Sequence, residues 1–210
     1  MPSTALRDYS RKLKALDNTR KRMDSLYSRK RVARHDIMSA YESLFLRAVV
    51  GFERFCEDLF FDIINQRVFY RRADVTVMLR RTINRDQNDV MRKIVFEGKN
   101  YVEWIPYEKA LNRVGLHLNG GRPFAALDDT DKGTLKRIVL VRNAIAHASD
   151  YALAEFKRVL LSQINLLPVD RNPAGLLRSS FSGNPPRNYF QFYVVQLEYM
   201  ANKIYGSPVR

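Results

Sequence analysis

Residues 37–66 constrain the fold more than any other stretch. Tyr41, Leu44, Phe45, Ala48, Phe52, Phe55, Leu59, Phe61 and Ile63 recur at helical spacing and cover much of the helix's girth. A helix that is apolar on most sides needs neighbours on most sides, so it belongs at the centre of a bundle. Asp36 is placed to cap its start. Glu53 sits among the apolar residues, and Glu57 and Asp58 follow. A carboxylate there has two readings. One is an acid that orients a cation or imidazole across the bundle; the other is a solvent-facing acid or a structural ion pair.

The rest of the chain supplies the neighbours. Residues 4–33 predict one long helix, with Leu6, Tyr9, Leu13, Leu16, Met23 and Tyr27 at alternating three- and four-residue steps and Arg20 interrupting the stripe. Its other faces are strongly basic, with Arg22, Arg29, Lys30 and Arg31 among the cations. Such a face is a solvated surface, an arm that grips phosphates, or a contact with a second subunit. The run 75–79 is β-branched but has no obvious pairing partner, so 67–83 is expected as a connector or short helix. Asn84 or Asp86 caps a helix over about 87–97, closed by Gly98. Pro106 fits the first turn of a helix over 106–117, and residues 119–123 are a loop. Asp129 or Thr130 caps a helix running to about 149, and Ser149 or Asp150 starts the next, over 151–166. Residues 168–187, rich in Pro, Gly, Ser and Asn and carrying Arg178 and Arg187, predict a long loop. A last aromatic helix covers 188–205. The sum is an all-α chain, a basic helical arm (1–34) followed by a helical bundle (35–210).

Within the helix over 135–149, Leu135, Ile138, Val139, Ile145 and Ala146 fall on one apolar stripe. Arg142 falls in the middle of it. A guanidinium there must be paired or must face a cavity, because burying it alone is too costly. Asn143 and His147 are four apart and share a neighbouring face. Arg142 and His147 are five apart, about 140° around a helix, so two copies across a two-fold axis are the expected way to bring both groups to one phosphate.

The pattern Arg142-Asn143-Ala144-Ile145-Ala146-His147, preceded by aliphatics and followed by Ala148-Ser149-Asp150, resembles the signature of the HEPN superfamily. The likeness covers mainly residues 36–165 and is carried by Arg142, Asn143 and His147. It implies a helical bundle, commonly a homodimer, that cuts RNA without a metal, often as a toxin or effector in bacterial conflict. Defence-complex or antitoxin partners come with that setting. In members paired with a nucleotidyltransferase antitoxin a tyrosine follows two residues after the histidine; here that position is Ser149 and the nearest tyrosine is Tyr151.

The chemistry suits the residue types. The 2′-hydroxyl of RNA attacks its own phosphodiester if a base takes its proton and positive charge meets the crowded phosphorus. Histidine serves as base or acid near neutrality. Arginine binds phosphate oxygens in bidentate fashion and stabilises the developing charge. Asn143 fixes the geometry. The structural alternative is a capping His147 and an Arg142 paired with Glu53 or Asp58. The excess of 36 Lys and Arg over 22 Asp and Glu, +14 net, attracts polyanions. RNA contacts are expected from Arg22, Arg29, Lys30, Arg31, Arg178 and Arg187.

Other chemistries find no footing. Three histidines (His35 and His117, expected at the surface, and His147) and one cysteine give no zinc spacing. No glycine-rich phosphate loop occurs. No metal or cofactor is expected. Cys56, the only cysteine, lies among Phe55, Leu59 and Phe60 and is expected as a small buried hydrophobe in a reducing, cytoplasmic setting. No leader or membrane-length apolar run is apparent.

Overall fold

The computed structural model describes residues 4–65, 103–164, 166–181 and 187–206. The expected helix over 87–97 and the run 75–79 lie outside them. The fold is all-α: α1 (Thr4–Ser28), α2 (Arg34–Ile64), α3 (Tyr107–His117), α4 (Asp129–His147), α5 (Asp150–Val159), α6 (Pro173–Arg178) and α7 (Tyr189–Tyr205). A two-residue antiparallel hairpin, β1 (Ser180–Phe181) with β2 (Arg187–Asn188), joins α6 to α7.

Helix α2 is the axis of the bundle. Sixteen of its residues are buried, on most of its faces. Helix α1 packs along it through Ala5, Leu6, Tyr9, Leu13 and Leu16, so the basic N-terminal helix shares the common core. Gly51 permits that approach: a Cβ there would lie 3.0 Å from Tyr9 Cε2. The Tyr9 hydroxyl donates to the Ala48 carbonyl at 3.3 Å. Asp36 is the third residue of α2 rather than its cap; its carboxylate accepts from the Ala33 N–H at 3.1 Å. At the far end, Phe60, Trp104 and Phe124 form an aromatic cluster with centroids 5.4–6.4 Å apart. His117 is half-buried with its ring edge-on to Phe60, not at the surface, and burial lowers its pKa.

The stripe of α4 differs from expectation. Leu135, Ile138, Val141 and Ala144 are buried, Val139 and Ile145 are partly covered, and Ala146 is exposed. A strict three-residue recurrence slowly rotates the buried line around the helix, which moves Arg142 to its edge.

The region 168–187 is also more structured than expected. Residues Pro173–Arg178 are helical and Pro173 through Leu177 are buried. The residues that suggested a loop are instead a helix start. The Asn172 side chain accepts from the Gly175 N–H at 2.8 Å, and Pro173 takes the first turn. Gly175 abuts the Asp170 carbonyl, where any Cβ would clash. Helix α5 stops earlier than expected, at Val159, with a 3-10 turn over Leu161–Gln163.

Candidate active site

Both ends of α4 are anchored, and that fixes the motif. At its start Asp128 is the cap: its carboxylate accepts from the Asp131 N–H at 3.0 Å, and Asp131 accepts from the Asp128 N–H at 3.2 Å. Lys203 of α7 reaches both carboxylates at 2.6 Å. Hydrogen bonds from Lys203 and from the backbone hold the Asp128 pKa below its ordinary range. At its end, Ala148 adopts the left-handed conformation, φ 46°. Ser149 then caps α5 by accepting from the Ala152 N–H at 3.3 Å. His147 is therefore the last residue of α4, exposed, at the join of two helices, while Arg142 and Asn143 are half-buried.

The three motif side chains meet within one chain. Arg142 Nη1 donates to Asn143 Oδ1 at 3.0 Å and lies 3.4 Å from His147 Nε2. A guanidinium only donates, so any hydrogen bond in this contact is accepted by the imidazole nitrogen. The 140° between the two Cα positions is bridged by the length of the arginine side chain. A second copy is not needed to bring them together. Arg142 makes no ion pair with a carboxylate among the described residues, so the alternative, a structural pair with Glu53 or Asp58, is not formed. Among the described residues only Nη1 is engaged, which leaves three N–H donors on Nη2 and Nε for a ligand.

Arg142 opens onto a cleft of about 550 Å³, lined also by Val50, Glu53, Arg54, Glu57, Asp58 and Trp104. Glu53 is 6% exposed. The Trp104 indole N–H donates to Glu57 at 3.3 Å, and Arg54 pairs with Asp58 at 3.6 Å. The cleft thus carries three carboxylates beside its two guanidiniums. Val50, 50% exposed, and Trp104 are lining residues that sequence reasoning missed. Trp104 is the chain's only tryptophan, the one signal that pointed to it.

The other cations do not gather here. Arg22, Arg29, Lys30 and Arg31 are exposed on the last turns of α1 and the turn beyond it. Arg178 is half-buried, its guanidinium stacked 4.8 Å over the Tyr27 ring and directed at Met38 Sδ. Arg187 lines a separate groove with Lys14, Lys21 and Glu198. Among the described residues no cluster of His, Cys, Asp or Glu is arranged to hold a metal ion, and no helix is long and apolar enough to cross a membrane. Cys56 is fully buried, and burial, then the nearby Glu53 charge, pushes its thiol well above its ordinary pKa. No protein-family model, curated protein or solved structure matches the chain.

Proposed function

We propose that the chain is a metal-independent endoribonuclease of HEPN type. The observation that carries this reading is a half-buried Arg142 without a carboxylate partner among the described residues, held 3.4 Å from an exposed His147 and 3.0 Å from Asn143. A charged group is seldom left so placed for packing alone. In this reading the Arg142 Nη2 and Nε donors take the non-bridging oxygens of the scissile phosphate. His147 Nε2, freed as the guanidinium turns to the phosphate, accepts the proton of the adjacent 2′-hydroxyl, whose oxygen attacks phosphorus. The P–O5′ bond breaks, and the 5′-oxygen takes a proton from the imidazolium or from water. The products are a 2′,3′-cyclic phosphate and a 5′-hydroxyl. Asn143 holds the guanidinium in place. The same resemblance supports a homodimer, a cytoplasmic setting, and a role as toxin or effector beside an antitoxin or defence partner.

RNA cleavage in EDTA by the purified chain tests this reading. His147→Ala and Arg142→Ala are expected to abolish cleavage and to leave the melting temperature near that of the parent. Equal cleavage by parent and variants ends it.

A second reading has one observation in its favour. Three carboxylates, those of Glu53, Glu57 and Asp58, line the same cleft. In this reading the chain is a non-catalytic helical module that binds nucleic acid or a partner protein, and Arg142 balances the acidic cleft. Arg142→Ala would then lower the melting temperature clearly while His147→Ala changes nothing.

A further inference from the structure

We propose that the corner between α1 and α2 is a second, backbone-gripping RNA site, about 24–36 Å along α2 from the Arg142 cleft. The proposal rests on the nuclease reading only for what happens at the cleft; the corner's own binding is measured without cleavage.

Arg29, Lys30 and Arg31 are consecutive, exposed, and without an ion-pair partner among the described residues. Arg22 lies on α1 two turns before Arg29 and is also exposed. Arg171 is brought to the same corner because Arg34 binds Asp170 at 2.7 Å and the Val169 carbonyl at 3.4 Å, fixing that turn on the start of α2. The acids nearby are already engaged. Asp24 takes Arg20 at 2.6 Å and the Tyr41 hydroxyl at 2.9 Å, Asp170 takes Arg34, and Asp36 takes the Ala33 N–H and His35. Exposed cations whose neighbouring acids are all occupied present their charge to solvent and to a polyanion.

The cations follow a line down α1 and across the turn, which suits a phosphodiester strand. Val50 and Asp58 of the cleft lie sixteen and twenty-four residues beyond Arg34 on α2. At about 1.5 Å rise per residue that is the distance given above. A stacked strand advances about 3.4 Å per nucleotide, so spanning both places takes about seven to eleven nucleotides. The geometry therefore assigns the chain a minimum substrate length, which the cleft alone would not impose. Arg178, committed to Tyr27, and Arg187, in its own groove, are not part of this site.

The test measures binding of labelled single-stranded RNA of 4, 8, 12 and 24 nucleotides to His147→Ala protein, which cannot cut it in the nuclease reading. A variant adding Arg29→Gln, Lys30→Gln and Arg31→Gln is compared with one adding Lys109→Ala, Lys136→Ala and Lys157→Ala, of equal net charge. The expected result is a steep gain in affinity between 4 and 12 nucleotides that the corner variant loses. Its affinity for the 24-mer falls at least tenfold, and the slope of log affinity against log salt shrinks by about 2, from three contacts at about 0.7 each on a single strand. Three results overturn the proposal: the length dependence survives in the corner variant, the control variant loses as much, or the corner variant loses binding to vesicles of 30% phosphatidylserine in phosphatidylcholine while RNA binding stands. If the otherwise native chain cuts no RNA but the binding result holds, the nuclease reading fails and the corner site remains.

Discussion

Replacing Arg20 by alanine removes the buried cation that ties α1 to the rest of the bundle. Arg20 is 6% exposed. Its Nε donates to Asp17 at 2.8 Å and its Nη1 to Asp24 at 2.6 Å. Asp24 in turn accepts from the Tyr41 hydroxyl of α2, and that oxygen accepts from Asn188, the cap of α7. Truncating one partner of a fully buried pair costs about 3–5 kcal/mol. Here the side chains of Asp17 and Asp24 are 28% and 38% exposed and recover part of their hydration, so about 2–3 kcal/mol is the expected loss. For a chain of this size that lowers the melting temperature by about 4–12 °C. Differential scanning calorimetry at pH 7 measures it, with Arg20→Met separating lost charge from lost packing. The pH dependence supplies a second readout. Burial raises the Asp17 pKa, but Lys21 and Arg20 outweigh it, and the net shift is downward. A depressed carboxylate stabilises the fold above its unfolded pKa, near 4, and loses that contribution as pH falls through the folded value. The gap between parent and variant should therefore narrow below about pH 4. A change under about 2 °C at pH 7 would refute the reasoning, because it would mean the ion pairs are no better than their hydrated alternatives.

Gly51→Ala forces a methyl to 3.0 Å from the Tyr9 ring, and chemical denaturation should show a loss of about 1–3 kcal/mol as α1 shifts off α2. Cys56 should react with a thiol reagent only as fast as the chain unfolds, since it is fully buried with its thiolate disfavoured; rapid labelling of native protein would contradict the packing. Mixing inactive Arg142→Ala with inactive His147→Ala should restore no RNA cleavage, because the guanidinium and imidazole that meet belong to one chain. Recovery of activity would place the working pair across a subunit contact.

Much of this architecture is legible in the sequence for a simple reason. Helical periodicity over ten or more residues survives averaging, so α2, α4 and α7 are found nearly at their observed limits, while α1, read over 4–33, ends at Ser28. The starts of α2 and α4 are each displaced from the reading: Asp36 is the third residue of α2, whose cap is Ala33, and Asp128 rather than Asp129 or Thr130 caps α4. Helix α6 is hidden because Asn172, Pro173 and Gly175 are the usual residues of a turn, and only tertiary burial distinguishes a helix start from a loop. The identity of the motif residues is legible, whereas their convergence is not. Spacing alone sets Arg142 and His147 on different faces, and the arginine side-chain conformation closes the gap. The carboxylates of the cleft come from α2, and α2 and Trp104 approach α4 only through the fold.

The most direct measurement of the central claim is kcat/KM for RNA cleavage in EDTA, with the ends of the products identified. The account predicts 2′,3′-cyclic phosphate ends, a loss of at least about 100-fold for His147→Ala, and melting temperatures that agree within a few degrees. Cleavage by His147→Ala at the parental rate, or loss of activity only on adding EDTA, would contradict it.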